Sequence, residues 1–412
     1  MLSPPSTNLA AYAVSITNGF LPDEHPLLQL TDDYYLPWES VIGQLPQLLD
    51  SNTLRTTVDK LPVLSTSHLQ TEPEWRRAYL ILSFFTHAYI WEAGGPSDHL
   101  PPCISIPMLK VAAHLALPPT ATYAALNLWN FAPLDHNVSL SNIDNLRTLN
   151  TFTGTADESW FYLVSVAIES HGASLISTML RAIEACSTSN TSLVLSSLTS
   201  FTCTVRELGV ILKRMNEGCD PLVFYNKIRP FLAGSKNMAV AGLPNGVFYD
   251  EGDGKGEWRM FSGGSNAQSS LIQFFDVVLG VEHASKPGTT SKSGFLKEMR
   301  AYMPGPHATF LNSLPTPSPI REFCNASPIA ELVEAYNLAV KELAAFRDIH
   351  IQIVTRYIIR PARMQQGERG GKGLNLAVAS NGLEKGLCGT GGTELLPFLK
   401  GSRDETKDAA LG

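Results

Sequence analysis

The sequence has few cysteines, and their spacing matches no pairing motif. Six cysteines are scattered along the chain: Cys103, Cys186, Cys203, Cys219, Cys324 and Cys388. Small disulfide-stabilised domains carry closely and regularly spaced cysteines, and structural zinc sites usually carry C-x-x-C pairs. Neither pattern is present, so we expect free thiols in a reducing compartment.

Excess positive charge and long apolar runs are also missing. The formal net charge is −7, and Lys and Arg nowhere form a block with interleaved aromatic residues. We therefore expect neither a nucleic acid nor an anionic membrane surface as a partner. We find no apolar run near the roughly 18 residues that span a bilayer, and no signal-peptide pattern at the N-terminus. These features predict a cytoplasmic protein without a membrane partner.

Motifs of several common enzyme classes are absent as well. The chain has no H-E-x-x-H, no G-x-S-x-G and no C-x-x-C-H sequence. GERGGKG (367–373) has the glycines of a phosphate-binding loop, but its spacing differs and no Ser or Thr follows the lysine. A zincin protease, a serine hydrolase of the nucleophile-elbow type, covalently attached haem and a P-loop are therefore not indicated.

The patterns that are present are mainly helical. Helical periodicity runs through EWRRAYLILSFFTHAYIW from Glu74, SIPMLKVAAHLAL, TATYAALNLWNF, two long segments between Trp160 and Met215, and PLVFYNKIRPFL. Alternating strand patterns are rare, although LRTLNTFTGT suggests a short strand pair. We predict an all-α fold.

A domain boundary is predicted near Pro119, where Pro118-Pro119 interrupts the helical pattern. The boundary defines a small, mostly helical N-terminal domain (1–120) and a large helical domain (121–412). Within the large domain, residues 366–393 are rich in glycine, and we expect a flexible loop there that could order over a ligand.

One long apolar stripe contains a histidine. Spacings of four and three residues alternate without a break through Leu332, Tyr336, Ala339, Leu343, Phe346, His350, Ile353 and Tyr357. This spacing predicts one face of a single helix directed toward the interior. Glu331, Glu334, Lys341 and Glu342 fall largely off the stripe, as expected of its solvent side.

Two interpretations of His350 remain open at this point. Most isolated buried histidines are core residues hydrogen-bonded to a neighbour. Alternatively, a neutral imidazole directed into an apolar cavity can bind a haem iron. Arg347, three residues earlier, could then meet a carboxylate at the edge of the bound group. Periodicity alone does not distinguish the two.

Residues 260–280, MFSGGSNAQSSLIQFFDVVLG, combine paired glycines with a helical pattern. Gly263-Gly264 permits close approach of another segment. Ser265 is a candidate N-cap for the helix that carries Gln268, Phe274 and Asp276. An ordinary start of a helix explains the same residues.

Two further segments have the composition of a ligand site. LVFYNKIRPFL (222–232) places Phe224, Tyr225 and Arg229 within about a turn and a half, which suits an aromatic molecule with a carboxylate. A surface arginine packed along aromatic rings is the alternative. CGTGGTELLPFLK (388–400) ends the glycine-rich segment.

In combination, these segments resemble the indoleamine 2,3-dioxygenase family of haem proteins. The resemblance extends from about Tyr34 to Lys400, and its motifs occur in the family's order: LSFFTHAYIWEAG (82–94), WFYLVS (160–165), FYNKIR (224–229), FSGGSNAQSS with FFDVVLG (261–280), MRAYMPGPH (299–307), RDIHIQIVTRYI (347–358) and GTGGTELLPFLK (389–400). A longer insert at 366–388 suggests a fungal-type member.

The resemblance implies a haem b group enclosed by the large domain. His350 corresponds to the iron ligand, and Asp276 to the carboxylate that polarises its imidazole. Arg347 corresponds to the arginine that meets a haem propionate.

The resemblance also implies a substrate pocket on the other side of the haem. Phe224, Tyr225 and Tyr123 would wall the indole, Arg229 would hold the substrate carboxylate, and Ser165 would lie near the indole NH. Ser265 and Asn266 would contribute to the same pocket, and Thr390 would close over the amino acid end. Phe224, Arg229 and Ser165 are the residues expected to act in catalysis. Asn266 replaces the alanine of vertebrate members, so substrate affinity and selectivity are in question.

The implied reaction joins O₂ and L-tryptophan to form N-formyl-L-kynurenine, with an external reductant keeping the iron ferrous. The implied protein is a monomer of the kynurenine pathway, which also supplies NAD precursors. Two alternatives remain: a low-activity or non-catalytic haem protein that binds O₂ with the same fold, and a helical interaction protein in which His350 is a core residue.

Overall fold

The computed structural model describes residues 8–283, 292–367, 389–390 and 395–412. Helices account for most of these residues, and the predicted all-α fold is confirmed. The α-helices are α1 (Leu36–Gly43), α2 (Leu45–Asp50), α3 (Leu54–Val58), α4 (Glu72–Trp91), α5 (Pro102–His114), α6 (Ala156–Gly172), α7 (Ser174–Ser187), α8 (Thr191–Lys213), α9 (Met215–Gly218), α10 (Pro221–Val223), α11 (Arg229–Leu232), α12 (Ser270–Leu279), α13 (Lys292–Arg300), α14 (Gly305–Ser313), α15 (Pro319–Ala326), α16 (Ala330–Val354), α17 (Arg360–Gly367) and α18 (Leu395–Asp408).

Two small sheets interrupt the helices. The strands are β1 (His99–Leu100), β2 (Phe131–Pro133), β3 (Leu146–Thr148), β4 (Val247–Gly252) and β5 (Lys255–Arg259). β3 confirms the strand expected near LRT, and its antiparallel partner is the upstream β2. The other sheet has the order β1-β4-β5, and Asp253-Gly254 joins its hairpin with positive φ at both residues. This hairpin was not predicted from the sequence.

Helix α4 lies at the centre of the core. Its side chains are buried from Arg77 to Trp91, and a reciprocal capping box between Thr71 and Glu74 fixes its first turn. A single apolar cluster runs from Val14 to Ala409 and so includes residues on both sides of Pro119. The domain boundary near Pro119 stays a prediction.

Contrary to the expectation from the sequence, the span Ala156–Ser187, which comprises α6 and α7, is apolar and long enough to cross a bilayer. Burial accounts for this composition, because 72% of its most apolar window lies inside the protein. The two helices pack on each other and on α8, which places the middle of α6 beside the core of the molecule.

Helix α16 follows the stripe predicted from the sequence. The stripe residues from Leu332 to Phe346 are buried, whereas Glu331, Glu334 and Lys341 are exposed. The helix packs mainly against α8 and α18, and continues through a π-helical turn at Thr355–Ile359 into α17. A continuous helical segment therefore carries His350 through the interior.

Three π-helical turns occur in the described residues: Ala124–Leu128, Phe224–Ile228 and Thr355–Ile359. Each contributes at least one side chain to the cavity beside His350, as described below. A π turn widens the helix by one residue, changes which side chains face inward, and occurs often at functional sites.

The remaining short turns are 3₁₀-helical: Leu9–Tyr12, Asp33–Tyr35, Thr66–His68, Ile143–Asn145, Ala239–Ala241 and Asn266–Gln268. The last of these corrects the expected cap of α12. Ser265 caps the 3₁₀ turn by accepting from Ala267 N, and Ser269 caps α12 by accepting from Ile272 N. The chain therefore makes an extra turn before α12 begins.

Candidate functional site

His350 lies on a wall between two adjoining cavities. The first cavity has a volume of about 1110 Å³ and the second about 930 Å³, both including their open mouths. Both are lined by Tyr123, Leu212, Met215, Asn266, Ala267, His350, Phe398 and Leu399. Most of these side chains are apolar, and together the cavities are large enough for a cofactor and a small ligand.

The imidazole of His350 is held in its neutral form. Burial, together with the positive charge of Arg347, lowers the pKa of His350 to about 4. Part of its surface remains accessible, because the ring faces the cavities rather than packed side chains. Among the described residues, neither ring nitrogen has a hydrogen-bond partner. A core histidine normally has one, whereas a ligand-binding histidine needs a nitrogen lone pair that is available.

Arg347 and Asp276 form an ion pair beside the second cavity. Nη2 of Arg347 donates to both carboxylate oxygens of Asp276 at 2.7 Å. The same guanidinium donates through Nη1 to Ser402 O at 3.3 Å and to the hydroxyl of Thr406. Both Arg347 and Asp276 line the second cavity with His350, but no hydrogen bond joins Asp276 to His350 within the described residues.

A histidine that sequence analysis missed extends this ion pair. Nε2 of His283 lies 3.1 Å from Asp276 Oδ2, and Nδ1 lies 2.8 Å from Glu405 Oε2. Burial opposes the charge on both Asp276 and His283. The ion pairs outweigh burial, so the pKa of Asp276 is lowered and that of His283 is raised. The network joins α12, α16 and α18, and no sequence motif around His283 indicated it.

The segment 222–232 directs two of its three predicted residues into the first cavity. Phe224 packs against Phe161 and Tyr357, with ring centroids 4.8 Å and 5.9 Å away. Arg229 is 3% exposed and lines the same cavity.

Tyr225, the third predicted residue, lies outside the described lining of both cavities. Its side chain packs against Ala362 and Ile358. Its ring centroid is 5.8 Å from the guanidinium carbon of Arg229, within the range of a cation–π contact. The π turn that begins at Phe224 separates the directions of these neighbouring side chains.

Ser165 and Tyr123 line the second cavity from α6 and from the segment before the Ala124–Leu128 turn. The Tyr123 hydroxyl donates to Glu169 Oε1 at 3.0 Å, and the Ser269 hydroxyl donates to the same oxygen at 2.6 Å. Glu169, which sequence analysis also missed, is fully buried one turn after Ser165. A glutamate within the apolar run YLVSVAIES was the available signal.

The paired glycines bring two segments into contact, as their sequence predicted. A Cβ at Gly263 would lie 2.0 Å from Leu232 O. Gly263 N donates to Thr390 O at 3.1 Å, and the Thr390 hydroxyl donates to Gly264 O at 2.8 Å. These bonds hold Thr390 at the first cavity, beside Ser265.

Asn266 lines both cavities although much of the residue is exposed. The predicted flexible loop at 366–393 falls largely outside the described residues, which include only 366–367 and 389–390 of it.

The sequence of this chain is similar to those of known proteins. The family model for indoleamine 2,3-dioxygenase matches residues 8–409. An indoleamine 2,3-dioxygenase from Saccharomyces cerevisiae is 43% identical over 98% of this chain and 93% of its own length. The 6-hydroxytryptophan 2,3-dioxygenase fscD of Fusarium equiseti is 40% identical over 98% of both chains. Human indoleamine 2,3-dioxygenase 2 is 34% identical over 98% of this chain and 96% of its own length. The chain therefore belongs to the indoleamine 2,3-dioxygenase family.

Proposed function

We propose that this protein is a haem-dependent dioxygenase. It adds both atoms of O₂ across the indole C2–C3 bond of L-tryptophan and yields N-formyl-L-kynurenine. One observation carries the proposal: in a chain of this family, a neutral histidine with no hydrogen-bond partner among the described residues faces two apolar cavities. The relatives cited above are all dioxygenases by name and give no support to a non-catalytic oxygen carrier.

The residues around His350 fit haem b. A single neutral imidazole would suffice to hold haem, because the porphyrin nitrogens supply four ligands of the iron. Apolar side chains such as Leu212, Met215 and Phe346 suit the macrocycle. In this proposal His350 binds the iron and Arg347 meets a propionate, sharing its guanidinium with Asp276. Asp276 orients Arg347 and contributes negative charge on the His350 side.

Haem supplies the activation of O₂, a reaction for which amino acid side chains have no equivalent. The protein's own residues bind and orient the substrate and exclude water. In this proposal the Arg229 guanidinium pairs with the tryptophan carboxylate, and Phe224 packs against the indole. Tyr225 acts indirectly in this proposal, through the contact of its ring with the Arg229 guanidinium.

The polar residues of the pocket have separate proposed roles. Ser165 lies near the indole NH, Tyr123 forms part of the pocket wall, and Thr390 covers the amino acid end of the substrate. Thr390 is suited to this role because its two bonds to Gly263 and Gly264 fix it at the mouth of the first cavity. Ser265 and Asn266 contact the substrate from the same edge. Asn266 adds a polar group there and thereby affects which substituted indoles are accepted.

The wider setting follows from the same proposal. The protein acts as a cytoplasmic monomer that depends on an external reductant to keep the iron ferrous. Its product enters the kynurenine pathway, which breaks down tryptophan and supplies precursors of NAD. No nucleic acid or membrane takes part.

Turnover of haem-supplemented protein tests the proposal. The iron is reduced, L-tryptophan is added in air, and N-formylkynurenine is followed by its near-ultraviolet absorbance. We expect product from the wild type and from His136→Ala, an exposed histidine that serves as control, and neither product nor a normal haem spectrum from His350→Ala. A His350-dependent haem spectrum without product would favour the oxygen-binding alternative. Absence of haem binding would make His350 a core residue.

A further inference from the structure

The proposed reaction gives no role to Glu169, a buried carboxyl group beside the second cavity. Glu169 is fully buried on α6, and its neighbours Ser165, Tyr123 and Ser269 all line the second cavity. Glu169 itself is absent from the described lining of both cavities. It lies directly behind the wall that the substrate and the cofactor would contact.

One oxygen of Glu169 joins two separate segments of this wall. Oε1 accepts from the Tyr123 hydroxyl at 3.0 Å and from the Ser269 hydroxyl at 2.6 Å. Ser269 is also the N-cap of α12, the helix that carries Asp276. Oε2 is buried and has no hydrogen-bond partner among the described residues. The carboxyl group is therefore only half satisfied, which is costly for a purely structural group.

Glu158, on the same face of α6, shows what a structural carboxyl looks like in this protein. It too is fully buried, but both of its oxygens accept hydrogen bonds. Oε1 accepts from Phe152 N and the Tyr162 hydroxyl, and Oε2 accepts from Thr153 N and its hydroxyl. Phe152 and Thr153 belong to the loop before α6, which Glu158 holds in place. None of the three partners belongs to the described lining of either cavity. Glu158 is therefore a matched control for Glu169.

Glu169 can change its charge near neutral pH. Burial raises its pKa to about 7, although the hydrogen bonds from Ser269 and Tyr123 oppose the shift. Tyr123 is the titratable side chain that touches Glu169 from another segment. Burial and the charge of Glu169 raise the pKa of Tyr123 well above its ordinary value, so this phenol stays protonated. Ser269, which approaches from α12, does not titrate.

We propose that Glu169 is a positioning residue for the tryptophan reaction: its carboxylate holds the hydroxyls of Tyr123 and Ser269 and so fixes the wall of the second cavity. Tyr123 also lines the first cavity. The inference rests on the proposed function. Ionised Glu169 accepts both hydroxyls strongly, whereas protonation weakens the acceptor and loosens the wall. Substrate affinity should therefore be higher above pH 7 than below it.

Calorimetric titration of L-tryptophan into haem-loaded protein, and KM from turnover, test this inference at pH 6 and pH 8. For the wild type, we expect Kd and KM to rise about tenfold at pH 6, the factor that corresponds to one hydrogen bond to a charged group. Glu169→Gln imitates the protonated form, so it should show the weaker values at both pH values. Glu158→Gln should lower thermal stability and retain the wild-type pH dependence.

The outcomes separate this inference from the proposed function. If the wild type turns over tryptophan and Glu169→Gln keeps the full pH dependence, the positioning role is wrong and the dioxygenase proposal stands. If Glu169→Gln abolishes the pH dependence of tryptophan binding but no product forms, the positioning role stands and the dioxygenase proposal is wrong. Should Glu169→Gln fail to fold, Ser269→Ala replaces it. Loss of one donor to the ionised carboxylate should move the midpoint to higher pH, and an unchanged midpoint would contradict the inference.

Discussion

At the scale of single residues, burial and fixed partners determine the chemistry available to each side chain. His350 and Arg229 both line the cavities, but they differ in charge. His350 is neutral because burial and a nearby cation both disfavour its protonation. Arg229 remains a cation beside an aromatic ring. The site therefore offers one neutral ligand atom and one binding group for an anion.

Arg229 provides the sharpest residue-scale prediction. Arg229→Lys keeps the charge but loses the planar fork that pairs with a carboxylate through two hydrogen bonds. We expect kcat/KM for L-tryptophan to fall about 10–100-fold, which corresponds to about 1.4–2.7 kcal/mol. For tryptamine, which lacks the carboxylate, kcat/KM should change little. Arg206→Lys, an exposed arginine paired with Glu342, is the control.

The ratio of the two substrates is the decisive measurement. If Arg229→Lys weakens turnover of tryptophan and tryptamine equally, the arginine does not bind the carboxylate. An unchanged haem spectrum in the variant would show that the cofactor side is intact.

Sequence reasoning located most of these residues but could not orient all of them. His350 was identified because it falls in a stripe whose spacing is regular over more than six turns. Residues at such a spacing all lie on the same face of the helix. Tyr225 was placed in the pocket wall, but the π turn beginning at Phe224 directs it toward Ala362. A one-residue widening of a helix depends on tertiary packing and has no local sequence signature.

At the scale of elements, ion pairs connect the helices that surround the second cavity. Asp276 on α12 pairs with Arg347 on α16 and with His283. His283 also pairs with Glu405 on α18. The helices were predictable from periodicity, but the network was not, because its members lie far apart in sequence. The β4–β5 hairpin had a usable signal in Asp253-Gly254, the dipeptide typical of a tight hairpin turn.

His283 makes the stability of this network depend on pH. Its pKa is raised in the folded state, so its contribution is fully present below the unfolded pKa of 6.5 and is lost as pH rises through the folded pKa. We expect His283→Gln to lower the free energy of unfolding by about 1–3 kcal/mol at pH 6 and by less at pH 9. Urea unfolding at both pH values measures the difference.

The control for His283 is His68→Gln. His68 pairs with Asp32, but both side chains are more than 40% exposed, so solvent screens the pair. This substitution should change stability by less than about 0.5 kcal/mol at either pH. A loss for His283→Gln that is equal at pH 6 and pH 9 would mean that packing, rather than charge, accounts for it.

At the scale of the whole molecule, burial in the large apolar cluster sets the pKa values of several titratable side chains and so makes folding depend on pH. Composition and periodicity were sufficient to predict an all-α protein, since they report averages over many residues. They were insufficient to show which polar groups the core would enclose. Glu169 and His87 look alike in sequence, as single polar residues in apolar helical runs. Their opposite pKa shifts become visible only when their surroundings are known.

His87 and Glu169 affect the pH dependence of folding in opposite directions. Burial lowers the pKa of His87 to about 4, and its ring is held between Phe231 O at 2.6 Å and the Thr120 hydroxyl at 2.8 Å. The unfolded chain binds the proton first, so stability is present above pH 6.5 and is lost as pH falls toward 4. Glu169 has a raised pKa, so its contribution is present below about 4.5 and is lost as pH rises through about 7.

These opposing slopes partly cancel in the wild type between pH 7 and pH 5, where burial of His307 and His350 adds to the effect of His87. As pH falls from 7 to 5, His87 should lower the free energy of unfolding by about 2 kcal/mol, and Glu169 should raise it by a similar amount. His87→Gln removes the His87 slope and leaves those of the other buried groups in place, so the variant should gain about 2 kcal/mol relative to the wild type as pH falls from 7 to 5, whatever its stability at pH 7. Urea unfolding at pH 5, 6 and 7 measures this change, with the exposed His136→Gln as control. Parallel slopes for wild type and His87→Gln would show that the buried ring gains its proton without unfolding.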